Sequence, residues 1–323
     1  MRKALTPLIG VLVGLAFLIP VAIGLMQGRV IEIELVKPKT AKEALQQAYT
    51  KHFQEKDYQR AIEKYRWVVE KFPESEEAVE AQYRIGNIYQ WDLVEPEKAI
   101  QEYQKIVEKH PDSDYAIAAL IRIGESYGRV KQYDKSIQCF KQVVDRYPNT
   151  EYALKAKMEI ANTLLHCMDE LSKALEIYQE IVKTSPDSRY AVEAQLWIAN
   201  IRWKQGEYSD KKVIGICKKI ISSYQNYYHI CSAAQYMIGY VLYMRGKHDE
   251  ALNEFRKVLI QYPESYYDHK AETHLFIGFL HELRNNIPEA LSEYQYALRR
   301  YPKSIWADVI RKRLALLHAA LRR

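Results

Sequence analysis

Cysteine and glycine are scarce in this sequence, and their absence from known motifs excludes several kinds of site. The 323 residues include four cysteines and 12 glycines. No two cysteines have the C-x-x-C spacing of a haem-attachment or structural zinc site. Glycine-rich phosphate-binding loops and the G-x-S-x-G nucleophile motif are also missing. We therefore predict a non-enzymatic protein that holds no cofactor and no metal.

The remaining cysteines and histidines offer little more. Cys217 and Cys231 are predicted on consecutive helices, where a disulfide would form in an oxidising compartment; two independent buried thiols are the alternative. His269, His274 and His281 fall close together, but no H-E-x-x-H pattern accompanies them. We therefore favour surface or interface histidines over a metal site or an enzyme.

The charge is not concentrated in any tail. The formal net charge is +6, and the excess of basic residues is spread along the chain. RNP, zinc-finger and basic-leucine-zipper patterns are absent. The sequence therefore predicts no nucleic-acid partner.

A short punctuation motif recurs at intervals of 37 to 39 residues from Phe72 onward. It consists of an aromatic residue, His or Ser, then Pro, one further residue, and a hydroxyl residue. Its seven copies begin at Phe72, His110, Tyr147, Ser185, Tyr224 (a degenerate copy with Gln225 in place of Pro), Tyr262 and Tyr301. A period in this range is typical of repeat proteins.

Each copy is preceded by an apolar stripe with helical spacing. Twelve residues before the proline stands a small or apolar residue followed by an aliphatic one, and four residues after the first of these stands a large apolar residue. That residue is Tyr65, Tyr103, Phe140, Tyr178, Phe255 or Tyr294, and the smaller Cys217 stands in its place in the fifth repeat. The stripe predicts one buried helix face in every repeat.

A second helix is predicted after each proline. The hydroxyl residue can accept from the free N–H groups of a new helix, and the proline discourages continuation of the old one. Within the second helix an isoleucine precedes a small residue, which would let the paired helix approach closely. These small residues are Gly86, Gly124, Ala161, Ala199, Gly239 and Gly278.

Together these residues resemble the tetratricopeptide repeat over about residues 41 to 323. The period is about one helical turn longer than the usual ~34 residues, which resembles bacterial envelope scaffolds such as the barrel-assembly lipoprotein and the Tol-Pal-associated periplasmic protein. The resemblance implies an all-α, right-handed solenoid of about seven helix pairs and a C-terminal capping helix. The predicted helices are 41–56, 58–72, 75–91, 96–110, 113–130, 133–147, 150–168, 171–185, 188–205, 209–224, 227–245, 248–262, 265–284, 287–301 and 304–322.

The N-terminal segment is predicted to be a transmembrane helix. Leu5 to Met26 are mostly apolar and would span about 33 Å of lipid at ~1.5 Å per residue. Arg2 and Lys3 precede them, which favours a single-pass anchor in the bacterial cytoplasmic membrane with the repeats in the periplasm. The alternative is a signal peptide cleaved near Gly24, which would release a periplasmic protein. The predicted domains are a signal-anchor (1–28), an extended spacer (29–40) and the solenoid (41–323); no cysteine lies near the end of the apolar segment, so a lipid anchor is disfavoured.

The fifth helix pair departs most from the repeat and is one candidate surface for a partner protein. Lys211, Lys212, Lys218 and Lys219 share one face of a predicted helix, with Trp203 before it and Tyr227 and Tyr228 after it. A solvated helix face is the alternative interpretation.

A second candidate follows from the family resemblance. In peptide-binding members the asparagine after the small residue faces the groove and contacts the ligand backbone, which implies that Asn87, Asn162 and Asn200 contact a partner here. Glu125, Tyr240 and Phe279 hold the same place in other repeats. A purely packing role for the asparagines is the alternative.

These observations predict a membrane-anchored scaffold or adaptor that binds partner proteins through its helical surface and the lipid bilayer through Leu5 to Met26. The alternative function is that of an accessory structural subunit of a membrane-bound enzyme or electron-transfer complex, whose partners carry the cofactors.

Overall fold

Fifteen α-helices make up the regular structure of residues 38–321, the part of the chain that this computed structural model describes, apart from the side chain of Tyr267. In chain order they are α1 (Ala41–Tyr49), α2 (Tyr58–Lys71), α3 (Glu76–Asn87), α4 (Pro96–Lys109), α5 (Asp114–Arg129), α6 (Tyr133–Arg146), α7 (Glu151–Cys167), α8 (Leu171–Thr184), α9 (Arg189–Lys204), α10 (Asp210–Ser223), α11 (Tyr228–Met244), α12 (His248–Gln261), α13 (Tyr267–Leu283), α14 (Ile287–Arg300) and α15 (Ala307–Leu321). Single π-helical turns, Thr50–Gln54 and Ile88–Asp92, extend α1 and α3.

Taken in chain order, the first fourteen helices form seven consecutive pairs, and α15 follows the last pair. We call the first helix of each pair the A helix (α1, α3, α5, α7, α9, α11, α13) and the second the B helix. When the π-helical turns are counted with α1 and α3, every bound lies within a few residues of its predicted position. The all-α class and the tetratricopeptide-like pairing are therefore confirmed.

The predicted transmembrane helix from Leu5 to Met26 lies outside the described residues. From residue 38 to residue 321, no helix combines the length and the apolar character needed to cross a bilayer. The anchor therefore stays a prediction.

Two compact units divide the chain between Tyr115 and Ala116. The first contains α1 to α4, with a core around Ala61, Tyr65 and Ile85. The second contains most of α5 and all of α6 to α15, with one core around Cys217 and Phe255 and another around Tyr294. The large residue of the predicted stripe is at most 2% exposed in every repeat.

The joint between successive pairs works as predicted from the Pro-x-Ser motif. Ser188 Oγ accepts from the backbone N–H of Ala191 at 3.1 Å and donates to the carbonyl of Ser185 at 2.8 Å. Ser75 and Thr150 make the same two bonds. One hydroxyl thus satisfies a free donor of the new helix and a free carbonyl near the end of the old one.

The small residues of the A helices allow the predicted close approach. A Cβ atom placed on Gly278 would lie 2.2 Å from the ring of Tyr294, and one placed on Gly86 would lie 2.4 Å from the ring of Tyr103. The aromatic residue of the B helix therefore occupies the space that a larger side chain on the A helix would need.

Candidate partner-binding cavity on the A helices

A cavity of about 550 Å³ opens along the A helices of the second unit. Its walls come from α9, α11 and α13, and two residues around the start of α15 also line it. The lining residues of α9 are Arg189, Glu193, Leu196, Trp197, Asn200 and Lys204. Those of α11 are His229, Ile230, Ala233, Tyr236, Met237 and Tyr240. The rest are Tyr266, His269, Glu272, Leu275, Phe276, Phe279, Trp306 and Val309.

The same helical position of three successive repeats faces this cavity. Asn200, Tyr240 and Phe279 each follow the small residue of their A helix, and all three line the cavity. The position seven residues earlier, two helical turns away on the same face, is Glu193, Ala233 or Glu272, and these line it too.

Aromatic rings form much of the wall. The ring of Phe276 lies 5.6 Å from that of Tyr240 and 6.0 Å from that of Tyr236, both edge to face. Near the start of α11, the ring of His229 stacks on that of Tyr266, with 4.2 Å between the ring centres. Such rigid, amphipathic side chains dominate the binding energy of many interfaces.

Two half-buried carboxylates lie among these rings. Desolvation raises the pKa of Glu193, opposed by the charge of Arg189 and a hydrogen bond from Trp197. Desolvation likewise raises the pKa of Glu272, opposed by a hydrogen bond from Tyr236 and the charge of Lys204. Neither carboxylate forms an ion pair with any residue between 38 and 321.

The three candidate asparagines have different surroundings. Asn87 Oδ1 accepts from the hydroxyl of Tyr103 at 2.8 Å, and Asn162 Oδ1 accepts from that of Tyr178 at 2.6 Å. Asn200 Oδ1 is buried and has no hydrogen-bond partner in the described part of the chain. Of the three, Asn200 is the one that lines the cavity.

The basic residues of the fifth pair lie elsewhere. Lys211, Lys212, Lys218 and Lys219 are all exposed on α10, a B helix, and none lines the cavity. The ammonium group of Lys212 lies 3.4 Å from the centre of the Tyr208 ring. This arrangement matches the solvated face that was the alternative interpretation, although binding by these lysines stays a prediction.

The aromatic candidates of the fifth pair take part in packing. Trp203 Nε1 donates to Asp210 Oδ1 at 2.7 Å, and Arg245 pairs with the same carboxylate. Tyr227 stacks on Tyr224 at 5.9 Å, and the hydroxyl of Tyr228 accepts from the backbone N–H of Glu264. These contacts join α9, α10, α11 and the loop after α12, and none of the three aromatic residues is among those that line the cavity.

The histidines and cysteines singled out in the sequence do not come together in one site within residues 38–321. His269 lines the cavity, whereas His274 bonds Glu293 of α14 at 2.6 Å. No group of three metal-ligating side chains is assembled anywhere in residues 38–321. All four cysteines are free thiols; burial raises the pKa of Cys217 to about 12 and that of Cys139 to about 11.

Several cavity residues were not predicted from the sequence, notably Glu193, Tyr236, Glu272, Phe276 and Trp306. Helical register would have found all of these except Trp306, which precedes α15. Counting back three, four and seven residues from Asn200, Tyr240 and Phe279 reaches most of the lining.

Comparisons with known proteins agree with this fold. The profile of the family described as "Outer membrane lipoprotein" (YfiO) matches residues 37–165, and a tetratricopeptide-repeat profile matches residues 233–265. No protein of curated function matches the sequence.

Solved structures with similar folds share little sequence with this chain. A tetratricopeptide repeat protein from Parabacteroides merdae has 15% identity and a TM-score of 0.62, over 87% of this chain and all of that one. PilW, a type IV pilus biogenesis factor, has 14% identity and a TM-score of 0.50, over 73% of this chain and 99% of that one. A chain of the APC/C hetero-tetramer Cut9–Hcn1 has 13% identity and a TM-score of 0.51, over 82% of this chain and 47% of that one.

At these sequence identities, the similar structures indicate the fold alone. The two family profiles match two separate parts of the chain. The protein thus has the tetratricopeptide-repeat fold, and its residues 37–165 resemble the family described as outer membrane lipoproteins.

Proposed function

We propose that this protein is a non-enzymatic scaffold whose cavity on α9, α11 and α13 receives a segment of a partner protein. The main observation behind this proposal is that three successive repeats line one cavity of about 550 Å³, whose walls are rich in aromatic residues. That volume lies within the range of specific binding sites. The tetratricopeptide-like fold supports an interaction role over a catalytic one.

The surroundings of Asn200 support the same proposal. Its unpartnered Oδ1 is a buried acceptor, and such groups are rare because each loses a hydrogen bond to water on burial. A small rotation of the amide would present either its oxygen or its nitrogen to the backbone of a bound segment. Asn87 and Asn162 have their oxygens engaged by tyrosines and are weaker candidates.

We further propose that Leu5 to Met26 anchor the chain in the bacterial cytoplasmic membrane as a single span, with the repeats in the periplasm. The match to an envelope family supports an envelope location. The first cysteine of the chain is Cys139, far beyond the apolar segment, so attachment through a lipidated cysteine near that segment is not part of the proposal. A right-handed solenoid over residues 41–323 is the architecture that we expect to present the cavity.

The test of partner binding is a pull-down of the full-length protein in mild detergent. Ala233→Trp would fill the cavity without removing any polar group, and Lys219→Trp adds the same side chain to the exposed face of α10. Circular dichroism checks that both variants fold. We expect stoichiometric partners to be lost from Ala233→Trp and retained by Lys219→Trp; equal capture by both would remove the cavity from the proposal.

The anchor is tested separately by comparing the full-length chain with a chain that begins at Lys39, and by mass spectrometry of the N-terminus. Partners retained by both would assign recognition to the repeats. A mature N-terminus near Gly24 would contradict the anchor and favour a released periplasmic protein. Co-purification of a redox or transport activity would favour the accessory-subunit function.

A further inference from the structure

The two carboxylates of the cavity lack the charged partner that buried ionised groups normally have. Glu193 on α9 and Glu272 on α13 occupy the same register position of their repeats, and Ala233 between them on α11 leaves that position open. Each accepts a hydrogen bond from one aromatic donor, Trp197 or Tyr236. A neutral donor does not balance a negative charge that has been taken out of water.

The basic residues that line the cavity do not supply the missing charge. Arg189 and Lys204 stand at the two ends of α9, both are exposed, and neither forms an ion pair with Glu193 or Glu272. Their charges only partly offset the rise in pKa that burial causes in the two carboxylates.

The walls around the carboxylates suit a cation of organic character. Tyr236, Tyr240 and Phe276 form a connected group of rings with centroid separations of 5.6 to 6.3 Å. Aromatic faces attract a guanidinium or ammonium group, and they also contact the alkyl chain that carries it. Carboxylates then provide the charge-assisted hydrogen bonds that fix the group in place.

We propose that the guest of this cavity is an arginine or lysine side chain, carried by an otherwise apolar segment of a partner protein and held between Glu193 and Glu272. This inference rests on the proposed function, because it names the chemistry of the segment that the same cavity receives. It also accounts for the coexistence of two acidic groups and an aromatic wall in one half-buried space.

The raised pKa values of the two carboxylates fit this assignment, because the site stabilises their charge poorly while it is empty. A cationic guest would lower both pKa values towards their ordinary range. Its affinity would therefore decrease as the pH falls through the raised pKa of the empty site. Arg189, Lys204, His229 and His269 also line this space, and protonation of His269, whose pKa is lowered by burial, would weaken a cationic guest in the same direction.

The experiment uses the full-length protein in detergent and two synthetic peptides, Ac-Gly-Phe-Arg-Phe-Gly-amide and its citrulline analogue, which has nearly the same shape and no charge. Isothermal titration calorimetry measures both affinities. We expect the arginine peptide to bind about tenfold or more tightly than the citrulline peptide, the size of effect expected of charge-assisted hydrogen bonds. A third peptide, with glutamate in place of arginine, carries the opposite charge and should not bind.

The variants identify the groups responsible. Glu193→Gln together with Glu272→Gln should reduce the preference for arginine to about onefold, since both amides keep the shape and lose the charge. Glu176→Gln together with Glu289→Gln removes the same charge from exposed positions on the B helices α8 and α14, and should leave the preference unchanged.

Equal binding of the two peptides, a preference that survives in the cavity variant, or no binding of either peptide would each overturn the cationic guest. These results are distinct from failure of the proposed function. If Ala233→Trp still abolishes partner capture while arginine shows no advantage, the cavity is a partner site for a neutral segment.

Discussion

The hydroxyl of Tyr178 donates to the side-chain oxygen of Asn162 at 2.6 Å, and this bond joins the B helix to the A helix of one pair. In the next pair Asn200 stands 38 residues after Asn162, but Cys217 takes the place of the tyrosine. The thiol leaves Asn200 Oδ1 without a donor. The same residue type therefore serves packing in one repeat and is available to a ligand in the next.

Substitution of these two asparagines should have opposite consequences. Asn162→Ala removes the acceptor of a buried hydroxyl, and we expect the free energy of unfolding to fall by about 1–3 kcal/mol. Asn200→Ala removes an acceptor that has no partner, so stability should change little while partner capture weakens. Urea unfolding of both variants tests the stability difference, and the reverse order of effects would contradict it.

Two glycines should respond in opposite directions to replacement by alanine. Gly278→Ala places a Cβ 2.2 Å from the ring of Tyr294, so the helices must separate, and we expect a loss of about 1–3 kcal/mol. Gly215→Ala is the matched control, because no heavy atom outside its two neighbouring residues and the backbone of α10 lies within 4 Å of the added Cβ. It should stabilise the protein by roughly 0.5–1 kcal/mol through the better helix propensity of alanine. Thermal unfolding of both variants measures the contrast.

Neutralising the cavity carboxylates should stabilise the empty protein. Because burial raises the pKa of Glu193 and Glu272, the folded state binds protons more readily than the unfolded state does. Their contribution to stability is present below the unfolded pKa and is lost as the pH rises through the folded pKa. Glu193→Gln with Glu272→Gln should therefore raise the melting temperature at about pH 8, with a smaller gain at about pH 5.

That experiment compares variant and wild type at each pH, so the titration of groups present in both proteins largely cancels. A gain that grows as the pH falls would contradict the sign of the two pKa shifts.

The four thiols should differ sharply in their reaction with iodoacetamide. Cys167 is exposed, whereas Cys217 and Cys139 are buried and have pKa values raised to about 12 and about 11. Since the thiolate is the reacting form, we expect the native protein to be alkylated at Cys167 alone at neutral pH. Peptide mass spectrometry locates the label, and unfolding in urea should make all four cysteines reactive.

The sequence predicted the helices well because each repeat encodes its own pair locally. The stripe that ends in Tyr178 and the hydroxyl of Ser188 are both set by residues within a few turns of each other, and both predictions are confirmed. Less local features were harder to foresee. One residue in each loop within a pair has a positive φ, and five of the seven are not glycine, Val94 and Lys131 among them, so composition gave no sign of them.

The cavity could be predicted only in part, because it depends on three A helices that are about 40 residues apart in sequence. The position of Asn200 was predicted from the family resemblance. The contribution of Glu272 and Phe276 depends on how α13 is rotated against α11, and tertiary packing rather than local propensity sets that rotation.

Since the cavity wall is divided among α9, α11 and α13, any guest that fills it must touch three repeats at once. In arrays of this kind each repeat contacts mainly its neighbours, and parts of the array open independently. A bound segment would make those openings interdependent, because none of the three helices could separate without releasing the guest. Amide protons of all three would then become protected together on binding. Hydrogen–deuterium exchange would therefore report occupancy of the cavity before the identity of the natural partner is known.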